Sequence, residues 1–309
     1  MNPTRPPDPA SVRVPGPWVH RDISANGIRL HVAEAGSGPL VLLLHGFPEF
    51  WWSWRHQLTA LADAGMRVVA VDLRGYGDSD KPPRGYDGWT LAGDAAGLVR
   101  ALGEQRACLV GHDWGGLIAW TAAALHPRVV GSVAVLAAPH PLGMRRALLR
   151  DGGQRRASRY VAAFQPPWLP ERRLTSGDGA LVERFLRDWS GPDWPSDPEF
   201  DEVVRRDRAA MAIPGAAHSA AEYYRWAARS ALRTDGLRLA RALDRRIEVP
   251  VLALHGELDP TLLERTARLS QRWTAGQYRY HVLPRIGHFL QQEAPEQVTG
   301  LLTDFVHNT

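Results

Sequence analysis

The sequence predicts the α/β class with a mostly parallel sheet, and three observations predict it. Short apolar runs alternate with helical patterns over both ends of the chain, as parallel strands joined by crossover helices require. One run, residues 107–110, passes through Gly111-His112-Asp113-Trp114-Gly115-Gly116 into a small-residue helical pattern at 117–125. Glycines around a central residue at such a switch describe a sharp turn that lifts the middle side chain, here Asp113, clear of the backbone. The alternation stops once, between residues 143 and 246, where an Arg- and Trp-rich helical stretch intervenes.

Taken in order, residues 1–17 are rich in proline and lack the apolar segment of a secretory signal; a disordered arm is expected. Residues 18–24 and 28–35 flank Ala25-Asn26-Gly27, a hairpin signal. The run 40–44 reads as a strand covered on both faces. His45-Gly46-Phe47-Pro48-Glu49 forms a loop before an aromatic-rich helix near 50–64, and 67–71 is the next strand. A helix near 90–103 leads to the elbow strand, and 129–137 follows the elbow helix as another strand. Residues 143–246 are broken by Pro166-Pro167, Gly191-Pro192, Trp194-Pro195 and Asp197-Pro198. An insertion there is expected to form a helical cap over the carboxyl ends of the strands, where ligands bind in such sheets. Alternation resumes with a strand at 247–254, a helix at 260–274, a strand at 277–283 and a last helix at 289–306. The expected division is a core of 18–142 and 247–309 with a cap of 143–246.

The net charge of +4 comes almost wholly from arginine, since Lys81 is the only lysine, and it is interleaved with acids. With no basic tail, zinc spacing or stacking motif, no nucleic-acid partner is expected. No run approaches membrane-spanning length, so no membrane partner is expected and the location is read as cytoplasmic. The single cysteine, Cys108, lies in an apolar strand and reads as a buried structural thiol.

Chemistry concentrates in loops at strand ends. His255-Gly256-Glu257-Leu258-Asp259-Pro260 follows one strand and Pro284-Arg285-Ile286-Gly287-His288-Phe289 the next. The order Asp113, Asp259, His288 is nucleophile, acid, histidine. Asp113 also has a plain reading as a helix cap in an ordinary βα loop, and Asp259 as an N-cap before Pro260. His45, His112 and His255 read as structural.

Three motifs carry a resemblance that spans nearly everything after the arm. They are His45-Gly46-Phe47-Pro48-Glu49 with Trp52-Ser53-Trp54-Arg55, Gly111-His112-Asp113-Trp114-Gly115-Gly116, and Gly287-His288-Phe289 with Glu293 and Pro295. With Asp259 at the acid position, the chain resembles the epoxide hydrolases of the α/β-hydrolase fold, the branch with an aspartate nucleophile. That branch uses a carboxylate for a chemical reason: attack on an sp3 carbon leaves an alkyl ester whose carbonyl water can attack, whereas serine would leave an ether. The resemblance implies Asp113 as nucleophile, with His288 held by Asp259 as base for the water step. It implies oxyanion donors at the Phe47 and Trp114 N–H groups, a cis Phe47–Pro48 bond, and Glu49 as an orienter of the hydrolytic water. Two lid phenols would protonate the epoxide oxygen: Tyr160, in Tyr160-Val161-Ala162-Ala163-Phe164-Gln165, and Tyr224, with Tyr223 as its packing neighbour. Phe47, Trp114 and Phe164 would contact an apolar epoxide, and Trp51, Trp168, Trp189 and Trp194 are further candidates for the pocket wall. No metal or organic cofactor is implied, and the oligomeric state is left open, a homodimer included. Two rivals remain: a haloalkane dehalogenase, whose usual Asn after His-Gly is here Phe47, and a non-catalytic binding protein on the same fold.

Overall fold

The computed structural model describes residues 7–231 and 233–309. The strands among them are β1 (Val19–Ala25), β2 (Ile28–Ala35), β3 (Leu40–Leu44), β4 (Arg67–Val71), β5 (Ala107–His112), β6 (Val130–Leu136), β7 (Val251–Gly256) and β8 (Tyr278–Leu283). They form one sheet in the order β1-β2-β4-β3-β5-β6-β7-β8. β1 and β2 pair antiparallel around Asn26-Gly27, where both residues have positive φ, and β2 pairs antiparallel with β4. From β4 onward every pairing is parallel. The uninterrupted apolar runs have the expected cause: every residue of β3, β5 and β7 is buried.

Helices α1 (Arg55–Asp63), α2 (Gly88–Ala101) and α3 (Trp114–Leu125) connect the first strands. Between β6 and β7 come α4 (Pro141–Arg150), α5 (Gly152–Ala157), α6 (Leu169–Thr175), α7 (Ala180–Trp189), α8 (Phe200–Met211), α9 (Ala216–Ser230) and α10 (Thr234–Leu243), with 3-10 turns such as Ser158–Phe164. α11 (Glu264–Arg268), α12 (Leu290–Glu293) and α13 (Pro295–His307) complete the chain. α1 packs with α13 and α2 with α3, which covers the sheet in two groups of helices. The last helical segment is divided at Ala294, because Pro295 starts a new helix rather than continuing one. Likewise residues 260–263 are not helical, and only 264–273 form α11 and a 3-10 turn.

The topology positions the site. β3 runs beside β5 with Leu44 opposite Gly111, so the loop after Leu44 and the turn after His112 emerge side by side. At the other end of the parallel block Gly256 of β7 lies opposite Leu283 of β8, which brings the loops of Asp259 and His288 together.

The expected disordered arm needs correction. Residues 1–6 lie outside the described residues, but from Pro7 the segment is built into the fold. Asp8 caps a 3-10 helix at Pro9–Val12, Val12 and Val14 are buried, and their carbonyls accept hydrogen bonds from the Trp51 and Trp18 indoles at 2.8 Å each. Arg13 pairs with Asp22 and Asp78. Two valines spaced for one face, plus indole donors that need acceptors, outweigh the proline content.

Candidate active site

Asp113 stands between β5 and α3 with φ 47° and ψ −115°, a strained conformation for a residue with a side chain. The neighbouring glycines are forced by contact. A Cβ on Gly111 would lie 2.2 Å from the Gly115 oxygen, and one on Gly115 would lie 2.1 Å from the Leu44 oxygen. The Asp113 side chain makes no capping bond to α3, which removes the plain helix-cap reading. Instead Oδ2 accepts the Phe47 N–H at 3.0 Å, across the cis Phe47–Pro48 loop. Trp114, the first residue of α3, shares the turn; among the described residues its N–H makes no bond to that carboxylate.

The imidazole of His288 reaches toward the other oxygen, with Nε2 3.8 Å from Asp113 Oδ1. Its Nδ1 donates to Asp259 Oδ2 at 2.8 Å, which orients the ring with Nε2 toward Asp113. Asp259 Oδ1 accepts from Thr261 N, Thr261 Oγ1 and Leu262 N at 2.8, 2.8 and 3.0 Å. One carboxylate oxygen thus shapes its own loop and the other orients the base. Burial pushes His288 down, but the charge and hydrogen bond of Asp259, with Asp113 and Glu49, more than offset it and raise its pKa to about 9. Asp259 is held below its ordinary range: burial opposes ionisation, and His288 overcomes it. Thr261 is a site residue that sequence reasoning missed; its position two residues past Asp259 was the available signal.

Glu49 is buried and hydrogen-bonded at both carboxylate oxygens. Oε2 accepts from His112 Nδ1 at 2.7 Å and Gly46 N at 3.3 Å, and Oε1 accepts from Gln291 and Gln292 at 2.8 Å each. His112 Nε2 donates to the His288 carbonyl at 2.8 Å. The carboxylate thus grips the support of His288. His112 bridges the two, a structural part as expected. His45 is equally structural, donating from Nδ1 to the Gly46 carbonyl and accepting the Leu73 N–H.

Two phenols face this group from the insertion. Tyr224, on α9, is buried, its hydroxyl has no partner among the described residues, and its ring lies 5.1 Å from Trp114, 5.5 Å from Phe47 and 4.3 Å from Phe164. Tyr160, on the 3-10 turn Ser158–Phe164, lies 5.9 Å from the Tyr224 ring and 4.8 Å from Trp189. Burial, reinforced by the charge of Asp113, raises both pKa values above the phenol range, so both stay protonated. Tyr223 packs as expected and donates its hydroxyl to the Arg74 carbonyl at 2.8 Å.

Phe47, Trp114 and Phe164 pack around Tyr224, joined by Trp189 and by Phe185, which sequence reasoning missed. The other tryptophans do not. Trp51 packs on Trp18, His20 and His31 at the antiparallel edge, Trp194 packs on Phe200 and Phe289, and Trp168 is 81% exposed. An aromatic letter does not say which way its ring faces, and that error followed from composition alone. Cys108 is buried as expected, which raises its thiol pKa to about 11.

Known proteins share this arrangement of chain. A family model described as alpha/beta hydrolase fold matches residues 39–295. Epoxide hydrolase 3 of Xenopus tropicalis is 37% identical over 288 residues, spanning 91% of this chain and 75% of that protein. Epoxide hydrolase A of Mycobacterium tuberculosis is 33% identical, spanning 94% of this chain and 98% of the relative. The crystal structure of epoxide hydrolase A from Mycobacterium thermoresistibile is similar at a TM-score of 0.79 and 32% identity, covering 94% of this chain and 98% of that one. The chain belongs to the α/β-hydrolase superfamily, within its epoxide hydrolase family.

Proposed function

We propose that this hydrolase opens an apolar epoxide to a vicinal diol through a covalent ester on Asp113. One observation carries the reading: a carboxylate on a strained turn, an Asp-held imidazole and two protonated phenols converge among packed aromatic rings. In the first step an Asp113 oxygen forms a bond to an epoxide carbon while the C–O bond breaks. Tyr160 and Tyr224 donate hydrogen bonds to the departing oxygen, and one phenol gives up its proton to it, leaving a phenolate and a hydroxyalkyl ester. In the second step His288, oriented by Asp259, removes a proton from water, and the hydroxide adds to the ester carbonyl. The Phe47 N–H, with the Trp114 N–H of the same turn, receives the oxyanion. On collapse the leaving alkoxide takes the proton of the new carboxyl group and His288 returns its proton, through solvent, to the phenolate, which releases the diol and restores Asp113. Glu49 supports this step from behind, holding His112 and through it the His288 backbone.

Single-turnover hydrolysis in heavy-oxygen water tests the route. Label in the Asp113 side chain is the expected result, and label confined to the diol would refute the ester. A haloalkane dehalogenase reading has one observation in its favour, the buried Trp114 indole N–H, which among the described residues has no partner and could donate to a halide. Halide release from a bromoalkane without diol formation from styrene oxide would favour it.

A further inference from the structure

The insertion carries a surface that the chemistry does not use. Residues 145–173 contain two acids, Asp151 and Glu171, and both are engaged elsewhere, by Arg265 at 2.5 Å and Arg225 at 2.7 Å. The exposed arginines of the stretch, Arg150, Arg155, Arg156, Arg159, Arg172 and Arg173, make no ion pair among the described residues. Elsewhere on the molecule arginines are commonly paired, as in Arg184–Asp188 and Arg268–Glu264.

Large apolar groups stand among these charges. Leu149 is 71% exposed, Trp168 81% and Leu169 39%. They lie on segments packed in succession, α4 on α5, α5 on the turn Ser158–Phe164, and that turn on α6. Arg155 donates to the carbonyls of Leu148 and Leu149, and the exposed positions 155, 156, 159, 162, 163 and 166 recur three to four apart along α5 and the turn after it. Tyr160 lies between them on the inner side, against Trp189 and Tyr224. The Trp168 display is built rather than loose. It follows Pro166-Pro167, adopts φ 60°, and its base is fixed by Arg225, which donates to the Phe164 and Pro166 carbonyls at 3.0 and 2.7 Å.

Unpaired guanidinium groups around an exposed indole and leucines are the composition of an interfacial surface, one end wet and charged, the other apolar. A nucleic acid or an acidic protein would satisfy the arginines and leave Leu149 and Leu169 in water; an anionic bilayer takes both. We propose that the outer face of residues 149–173, centred on Trp168, docks this protein onto anionic lipid bilayers. Among the described residues no helix is long and apolar enough to cross a membrane, and the contact proposed here is peripheral. It reverses the expectation of no membrane partner, which considered spans only.

Cosedimentation of the full chain with vesicles of phosphatidylcholine, with and without phosphatidylserine, tests the proposal. Binding is expected only with phosphatidylserine and is expected to fall steeply with salt. Arg155→Glu/Arg156→Glu/Arg173→Glu should weaken it about a hundredfold, since each arginine contributes about a fivefold factor at such a surface. Trp168→Ala should weaken it about tenfold and abolish the quenching of one indole by bromine-labelled lipid. The Asp113→Asn variant should bind like the wild type, which separates this proposal from the ester chemistry. Absence of binding to phosphatidylserine vesicles at low salt would overturn it. So would binding indifferent to Trp168→Ala and matched by heparin or DNA, which would mark a polyanion site, or self-association that shields Trp168.

Discussion

At the scale of single residues, the site is a set of charges and phenols whose protonation is set by burial and neighbours. Asp113→Asn keeps the shape of the turn and removes the proposed nucleophile, so diol formation should fall to background in a steady-state assay. Tyr224→Phe removes one donor to the departing oxygen and should slow ester formation about 10²- to 10⁴-fold, read as a slower single-turnover burst. His288 links pH to both stability and rate. Its folded pKa of about 9 exceeds its ordinary 6.5, so the stabilisation is fully present below 6.5 and is lost as pH rises through about 9. The amount is on the order of 3 kcal/mol, and chemical denaturation at about pH 6 and about pH 10 should show it in the wild type and not in His288→Asn. Part of that elevation comes from the charge of Asp113, which alkylation neutralises. Ester hydrolysis should therefore rise with pH through an inflection below about 9, measured by single-turnover decay of the ester.

At the scale of elements, the elbow and the amino-terminal segment depend on close contact. Gly115→Ala places a methyl 2.1 Å from the backbone oxygen of Leu44, and backbone cannot yield as a side chain would. That variant should be insoluble or melt well below the wild type. Removing residues 1–14 exposes the faces buried by Val12 and Val14, a loss of about 3 kcal/mol or more, and leaves the Trp51 indole N–H without its acceptor. A lower melting temperature and a red-shifted tryptophan emission should follow. The elbow was legible because its glycines, its strand and its helix each left a local mark in the sequence. The amino-terminal segment was not, because its partners Trp51, Asp78 and α8 are distant in sequence and its own composition suggests disorder.

At the scale of the whole molecule, Glu293 ties the insertion to the core. Its carboxylate accepts from Gly287 and Phe289, on either side of His288, and from Gly191 of the insertion, at 2.7–2.8 Å. Charge-assisted bonds of this kind are worth about 1.5–3 kcal/mol each. Glu293→Ala should lower the melting temperature by several degrees and lower turnover with it, since the His288 loop and the wall bearing Trp189 would both lose an anchor. Activity and melting temperature measured on the same preparation check this.

The sequence by itself determined the strand-and-helix alternation, the turn that presents Asp113, and the chain order of Asp113, Asp259 and His288, because each is written in residues close together along the chain. Only the tertiary structure decided that Glu49 holds His112, that Thr261 braces the acid, and that Trp189 faces the site while Trp168 faces outward. Those outcomes depend on the direction in which side chains from separate elements converge, and periodicity along one chain carries no record of that direction.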